Sequence, residues 1–267
     1  LAEEKEIAPL LIFTIKDKDG NIIRKLYESP STESLKRVNW DLRYQGKNPV
    51  RLRNNKFDPK NDGNSGMFVL PGNYFVSMAM DHDGEITELA GPVEFTVKTL
   101  NNTTLPAVNR EELVAYQDKV AELGRTMRGG EIYLNDLMEK VAKIRQAIHI
   151  TPEAPQSLAE KARAAAEELD DIMFIINGSE AEASWEEIPP AKVPLSYRYG
   201  IIGWSHWGST SEPTQTQLDQ YNIIMEELPP LLEQIKQVDN TVKQIEIEME
   251  KYNAPWTPGR FPELKKN

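Results

Sequence analysis

Apolar residues recur at alternating steps of three and four from Asn109 onward, and this period constrains the fold more than any other feature of the chain. Such spacing places its members on one stripe of an α-helix, as in a heptad seam. The seam passes through Gly129 and Gly130, although each Gly costs about 1 kcal/mol relative to Ala in a helix. We therefore predict one helix over residues 110–148 that approaches a neighbour closely where the Gly130 side chain is missing. The seam comprises Leu113, Tyr116, Val120, Leu123, Met127, Gly130, Leu134, Leu137, Val141, Ile144 and Ile148.

Two more seams follow, which predict helices over 156–176 and 214–252. The first of them begins after Pro155 and ends at Asn177-Gly178, a good helix stop signal. The second contains Pro229-Pro230, for which we expect a kink rather than an end, because the apolar period continues beyond it. Their members are Leu158, Ala162, Ala165, Leu169, Ile172 and Ile176, and then Tyr221, Met225, Leu228, Leu232, Ile235, Val238, Val242, Ile245, Met249 and Tyr252.

The three predicted helices differ in length, which leaves part of a seam uncovered. At about 1.5 Å per residue the outer two would each span about 58 Å and the middle one about 31 Å. Residues 194–208 contain Tyr197, Ile201 and Trp204 at helical spacing, so we predict a short helix over 195–207. Residues 106–267 would then form an antiparallel three-helix bundle whose middle arm consists of two pieces.

Residues 1–105 have the pattern of an antiparallel β-sandwich, because short strands alternate with turn signals. Asp17-Lys18-Asp19-Gly20-Asn21 is typical of a hairpin turn. Alternation in the strand after Asn73 predicts that Tyr74, Val76, Met78 and Met80 share the core face, and the polar stretch 51–66 predicts a long exposed loop. The predicted strands cover residues 10–16, 22–27, 38–43, 67–70, 74–80, 85–89 and 93–98.

Charge and composition exclude several partners. The net charge is −11, and it belongs mainly to the helical part: residues 1–105 carry 14 Lys and Arg against 15 Asp and Glu, and the remainder 17 against 27. A chain without a basic run lacks the electrostatic footprint of nucleic-acid or anionic-lipid binding. No apolar run is long enough for a membrane span. Cys is absent, and since Leu1 is not an initiator Met, we expect a processed or excised chain.

Three short motifs in a fixed order resemble a known family. They are the run from Ile15 to Arg24, Val38-Asn39-Trp40-Asp41-Leu42-Arg43-Tyr44, and Leu70-Pro71-Gly72-Asn73-Tyr74. The order is similar to that in the Ig-like domain of flagellar hook-capping proteins, and, with Pro213-Thr214 opening the last helix, to the C-terminal region of exported bacterial proteins with a sortilin-like or sialidase-repeat β-propeller. The resemblance implies an Ig-like sandwich, a periplasmic or secreted location, and a parent propeller as partner. Members are often labelled glycosyl hydrolases, an activity that would belong to the propeller.

Residues with catalytic or metal-binding chemistry form no recognised motif. His82, His149 and His206 have no ligand spacing such as H-x-x-x-H, and Asp58 to Gly63 favours a turn over a calcium loop, because Lys60 occupies a ligand position. We therefore expect no cofactor and no metal. Carboxylates that could serve glycoside hydrolysis occur at Glu186, Glu187, Glu246, Glu248 and Glu250, but on long helices such charges usually face solvent.

The densest aromatic cluster lies in residues 194–208. Trp204, His206, Trp207 and Tyr197 are the candidate binding residues, because exposed aromatic rings stack on sugars or anchor partner proteins. Alternatively, with Tyr199 and Trp185, they fill the gap beside the short middle helix, which we take as the default expectation. Together the patterns predict a non-catalytic structural or interaction module that binds its parent propeller or another protein. The alternatives are a carbohydrate-binding module, or part of a glycoside hydrolase with catalytic residues outside this chain.

Overall fold

The computed structural model describes residues 8–32, 35–52, 56–61, 63–179 and 192–263, excluding the side chains of Ser205 and His206. Within these residues, an antiparallel β region precedes four helices, which confirms the predicted change from β to α along the chain. The molecule comprises two compact units. The first contains the described residues up to Arg125 and Gly203–Thr214, and the second contains those of Thr126–Ile202 and from Gln215 onward. The predicted boundary after residue 105, which separates β from α sequence, stays a prediction.

The first unit contains six antiparallel strands in two sheets. A four-stranded sheet has the order β2-β1-β5-β6, and a separate two-stranded sheet pairs β3 with β4. The strands are β1 (Leu10–Asp17), β2 (Ile22–Glu28), β3 (Arg43–Gln45), β4 (Ser65–Phe68), β5 (Gly72–His82) and β6 (Glu85–Val97).

The predicted hairpin turn between β1 and β2 is confirmed. Gly20 has a φ of 85°, a conformation that favours glycine. The Asp17 carboxylate accepts hydrogen bonds from the amides of Asp19 and Asn21 at 2.9 and 2.8 Å, and the Asp17 amide donates to the Asn21 carbonyl at 3.0 Å. Burial acts to raise the pKa of Asp17, but the hydrogen bonds from Asn21, Asp19 and Gly20 outweigh it and lower the pKa.

An aromatic cluster forms the core of the first unit. Trp40 contacts the rings of Tyr74 and Phe95 edge-on, with centroids 5.5 and 5.9 Å apart. The buried Tyr74 hydroxyl donates to the Leu70 carbonyl at 2.6 Å, and burial raises the pKa of Tyr74 to about 12. The other members are Ile15, Ile23, Leu26, Tyr44, Val69, Val76 and Val97.

The predicted core face of β5 is confirmed only at its start. Tyr74 and Val76 belong to the cluster, whereas Met78 and Met80 are partly exposed. All four share a face by register, because β5 pairs with β1 without a shift. The core therefore covers only one end of that face.

Two strand predictions were wrong. Residues 38–42 form no strand, because Leu42 adopts a φ of 59°, outside the extended region, and the strand starts at Arg43 instead. Residues 85–97 form one strand rather than two. The register shifts opposite Val76 to Ala79, so that Gly91-Pro92 lies within an irregular stretch of β6 rather than in a turn.

The helices occur where the periodicity predicts them. They are α1 (Arg110–His149), α2 (Gln156–Asn177), α3 (Leu195–Trp207) and α4 (Gln215–Glu250). Helix α1 contributes residues to both units. Asn109, directly before it, is a standard N-cap, because its side chain accepts hydrogen bonds from the amides of Glu111 and Glu112 at 3.0 and 3.2 Å. Helix α2 ends at Gly178, whose amide donates to the Phe174 carbonyl at 2.8 Å, as the stop signal predicts.

In the second unit, α1 continues through both glycines, which confirms the prediction of a single helix. A Cβ atom on Gly130 would lie 2.8 Å from Leu232 Cδ2, whereas one on Gly129 would meet nothing within 4 Å. The predicted close approach at Gly130 is therefore confirmed, and its neighbour is α4.

Helix α4 continues through Pro229 and Pro230 without ending. Its predicted seam is confirmed at Leu228 and from Ile235 to Met249. It was wrong at Met225, which is exposed, and at Leu232, which is half-buried, since Ile224 and Leu231 are buried instead. Ile224 lies one position before the predicted Met225, and Leu231 one position before the predicted Leu232. The buried stripe is therefore rotated by one residue at these two positions.

Candidate functional site

The C-terminal end of α3 and the β3-β4 sheet place two Trp residues, one Phe and one Arg at the surface of the first unit. The exposed fraction is 90% for Trp204, 45% for Trp207 and 37% for Phe68, and Arg43 is half-buried. We call these four residues the aromatic surface. Because Trp204 and Trp207 are three residues apart on one helix, their side chains are neighbours.

Arg43 joins the two aromatic elements of this surface. Its guanidinium carbon lies 3.7 Å from the ring centroid of Phe68, its cross-strand partner, and 5.5 Å from that of Trp207. Its Nη1 donates hydrogen bonds to the carbonyls of Gly66 and Trp207 at 3.0 and 2.9 Å. A cation over an aromatic ring contributes about 0.5 to 2 kcal/mol. The contacts therefore fix Arg43, Phe68 and Trp207 relative to one another.

The core of the first unit holds the backbone of Arg43 in place. The Trp40 indole N–H donates to the Arg43 carbonyl at 3.0 Å, while the Trp40 ring packs in the aromatic core. A Cβ atom on Gly66 would lie 2.9 Å from the Tyr44 carbonyl oxygen, so only glycine permits this approach of β4 to β3. The aromatic surface thus rests on rigid elements rather than on a loop.

The segment after α3 is attached to the same unit by backbone hydrogen bonds. The Ala107 amide donates to the Thr210 carbonyl at 2.9 Å, and Gln117 Nε2 donates to the Ser209 carbonyl at 3.3 Å. Arg43 satisfies the carbonyl of Trp207, the last residue of α3, where a positive charge also interacts favourably with the helix dipole. These contacts fix the position from which Trp204 and Trp207 project.

The electrostatics of the aromatic surface suit binding. Burial lowers the pKa of Arg43, and the nearby Asp41 carboxylate acts in the opposite direction. The Asp41 carboxylate accepts a hydrogen bond from the Arg43 amide at 3.2 Å and one from the Ser65 hydroxyl. Arg43 keeps its charge at neutral pH, because an Arg pKa starts far above 7. The surface therefore offers flat aromatic faces beside one shielded cation.

The four predicted site residues have different positions. Trp204 and Trp207 belong to the aromatic surface. Tyr197, with an exposed fraction of 65%, lies in the part of α3 that belongs to the second unit. The His206 side chain is outside the described residues, as is Trp185. Sequence reasoning missed Arg43 and Phe68 as site residues, because their approach to Trp207 bridges more than 130 positions of the chain and leaves no local pattern.

The predicted packing of the aromatic stripe was wrong for Tyr197 and Trp204. Helix α3 buries Leu195 and Ile202 instead, and both are fully inaccessible. These two residues are also seven apart, so the period allows either stripe. Tyr199 lies between Leu195 and Ile202 on the same side of the helix. Tyr199 differs from Tyr197, since its ring contacts the Arg128 guanidinium at 5.5 Å and burial raises its pKa.

The carboxylates considered for glycoside hydrolysis serve in ion pairs within the second unit. Glu246 binds Lys140 at 2.9 Å in a largely buried pair, Glu248 binds Lys161 at 3.0 Å, and Glu250 binds Arg260 at 2.5 Å. These pairs join α4 to α1, to α2 and to the segment after α4, respectively. Glu186 and Glu187 lie outside the described residues.

Asp239 is a further largely buried carboxylate of α4. It binds Lys243 at 2.6 Å. Burial acts to raise the pKa of Asp239, but hydrogen bonds from Lys243 and Tyr133 outweigh this and lower it. Asp239 therefore also has a structural role, as a link between α4 and α1.

The chain matches no protein-family model, and no curated protein or solved structure is significantly similar to it. Within the described ranges, no helix is long and apolar enough to cross a membrane, and no three His, Asp or Glu residues converge as metal ligands would. The resemblance to propeller-associated C-terminal regions stays a prediction.

Proposed function

We propose that the chain is a non-catalytic interaction module and that the aromatic surface is its contact site. The observation that carries this proposal is the 90% exposed fraction of Trp204. A Trp side chain in a regular helix gains from burial, so its display in solvent beside a second exposed Trp favours a partner that covers both. Trp and Arg are also the residue types that dominate the energetics of protein interfaces.

A protein partner fits the construction of the surface. Arg43, Phe68 and Trp207 are fixed by mutual contacts, so little conformational entropy is lost when they bind a folded partner. In keeping with the resemblance, we propose that this partner is the β-propeller of a larger exported protein, of which the chain would be an accessory region. Arg43 and the ion-paired carboxylates of α4 support structure rather than catalysis, since each is held in an ion pair or a hydrogen bond.

The finer architecture belongs to the same proposal. An Ig-like sandwich is supported by the core cluster, which draws Tyr74 from the four-stranded sheet and Tyr44 from the two-stranded one. A three-helix bundle with a two-piece middle arm is supported in the second unit, where a Cβ atom on Gly178, after α2, would lie 2.8 Å from Pro194, before α3. The end of one piece and the start of the next are thus adjacent.

The test uses the reading frame that contains the chain and any neighbouring domain that it encodes. That domain is expressed separately and titrated with the chain by isothermal calorimetry. We expect Trp204→Ala to weaken binding by about 30-fold, the loss typical of an interface hot spot, with unchanged thermal stability because Trp204 is exposed. Phe57→Ala is the matched control, since Phe57 is an exposed aromatic of the same unit outside the aromatic surface. A reading frame without a propeller, or equal binding by both variants, would contradict the proposal.

A second candidate function is carbohydrate binding. It is favoured by the half-exposed ring of Trp207, which is held beside the Arg43 guanidinium, because an immobilised indole face with an adjacent hydrogen-bond donor is suited to stacking on a sugar ring. A glycan array followed by titration of Trp207→Ala tests it. Array signals no higher than those of Trp207→Ala would exclude this candidate and leave the protein partner.

A further inference from the structure

Strand β6 leaves one edge of the four-stranded sheet open. It is 13 residues long and lies last in the order β2-β1-β5-β6. The opposite edge strand, β2, contacts the region of the two-stranded sheet: Arg24 in β2 donates hydrogen bonds to the carbonyls of Tyr44 and Asn64 at 3.1 and 3.5 Å. Within the described residues, no strand pairs with the outer side of β6. An open edge presents unpaired amides and carbonyls that can pair with another chain.

The side chains of β6 define what this edge can bind. Ile86, Leu89 and Val93 are apolar, yet their exposed fractions are 66%, 45% and 60%. The strand also carries Glu85, Glu88 and Glu94 and contains no Lys or Arg. Glu94 accepts a hydrogen bond from Asn73 at 2.8 Å. The edge is therefore both apolar and acidic.

The carboxylates of β6 indicate which kind of segment can pair with this edge. A second copy of β6 would bring its own three carboxylates to this edge, and like charges across strands are destabilising. The net charge of −11 also opposes self-association. On β6, Ile86 and Glu88 share one face, whereas Glu85 and Thr87 share the other. An extended segment in which Lys or Arg alternates with apolar residues would therefore pair one of its charges with Glu88 and place its apolar side chains on the opposite face.

The irregular stretch limits the length of the site. Gly91 has a φ of 110°, and a Cβ atom there would lie 2.7 Å from Ser77 Cα. Pro92 has no amide hydrogen, so it cannot donate to an added strand. The register against β5 also shifts at Leu89, so the uninterrupted docking length is Glu85 to Glu88. We infer that this part of β6 binds an extended, cationic segment of another protein by adding it to the sheet as a fifth strand.

The experiment uses the full chain and a fluorescent ten-residue peptide that alternates Lys with Val. Fluorescence anisotropy measures binding, and hydrogen exchange measures protection of the β6 amides. We expect saturable binding that protects residues 85–88, and about tenfold weaker binding to Glu88→Lys, in which an attractive cross-strand pair becomes repulsive. Glu168→Lys on α2 is the matched control, since it changes the net charge equally at an exposed position.

Two further peptides and one variant separate the alternatives. A peptide with N-methylated backbone amides should not bind, because it cannot form the ladder, and a Glu-Val peptide should not bind because of charge. Binding of either peptide, or equal losses in Glu88→Lys and Glu168→Lys, would overturn the inference. So would dimerisation of the chain through β6 in sedimentation without peptide. Trp204→Ala should leave peptide binding unchanged. Strand addition at β6 and partner binding at the aromatic surface can therefore fail independently.

Discussion

A methyl group added at Gly129 or at Gly130 tests whether the close approach of α1 to α4 is a packing constraint. The two positions are adjacent in the same helix, and Ala in place of Gly stabilises a helix interior by about 1 kcal/mol. The new Cβ atom meets nothing within 4 Å at Gly129, but at Gly130 it lies 2.8 Å from Leu232 Cδ2. The two substitutions therefore share the gain in helix propensity and differ in packing.

The expected magnitudes follow from these distances. Gly129→Ala should raise the free energy of unfolding by about 1 kcal/mol. Gly130→Ala should lose most of this gain, because the new methyl group displaces the end of the flexible, half-buried Leu232 side chain, a cost at the low end of the range of about 1 to 3 kcal/mol for overpacking. Its net effect is then about zero, and the two variants should differ by about 1 kcal/mol.

Urea unfolding followed by circular dichroism at 222 nm measures both variants against the parent. Leu232→Ala supplies the other half of a double-mutant cycle, because it removes the atom that the new methyl group would meet. In the Leu232→Ala background, Gly130→Ala should become stabilising, as Gly129→Ala is in the parent. If Gly130→Ala stabilises the parent chain as much as Gly129→Ala does, Leu232 moves aside without cost and the reasoning is refuted.

Three further predictions concern buried groups. Folding lowers the pKa of Asp239. The Asp239 carboxylate therefore stabilises the fold above its unfolded pKa of about 4, and this stabilisation is lost as pH falls through the lower folded value. Asp239→Asn should flatten the acid side of the stability–pH profile, measured by thermal unfolding at pH 2 to 6. Lys140→Met should cost about 3 to 5 kcal/mol in urea unfolding by leaving the buried Glu246 carboxylate without its cation, and Lys140→Met with Glu246→Leu should recover most of it. Ile202→Ala should cost about 2 to 5 kcal/mol, and Ile201→Ala on the exposed face less than about 1 kcal/mol; equal losses would contradict the assignment of the buried face of α3.

The helices could be predicted closely because their signals are local. Periodicity places α1 and α2 within one or two residues of their observed ends, and Gly178 marks the end of α2. The Gly130 contact could be predicted as well, because the glycine occupies a seam position where a side chain would normally pack. The rotation of the buried stripe at Ile224 could not, since both Ile224 and Met225 are apolar and their burial depends on the neighbouring helices.

The β region was predicted less accurately because its pairing is non-local. The turn at Gly20 and the start of the β5 core face follow from local chemistry and alternation. The displacement of β3 to Arg43 depends instead on the Trp40 side chain, which fills the core and binds the Arg43 carbonyl, and on the left-handed conformation of Leu42. Neither property can be derived from the residue types in that stretch alone.

The largest difference between prediction and structure lies in α3, and it bears directly on function. The helix offers two stripes with the same period, one aliphatic with Leu195 and Ile202, and one aromatic with Tyr197 and Trp204. Period alone cannot choose between them. Once Leu195 and Ile202 occupy the interior, the helical geometry requires the aromatic stripe to face outward. The exposure of Trp204 is thus a consequence of how α3 packs, and a partner that covers Trp204 would bury it without changing the packing of Leu195 and Ile202.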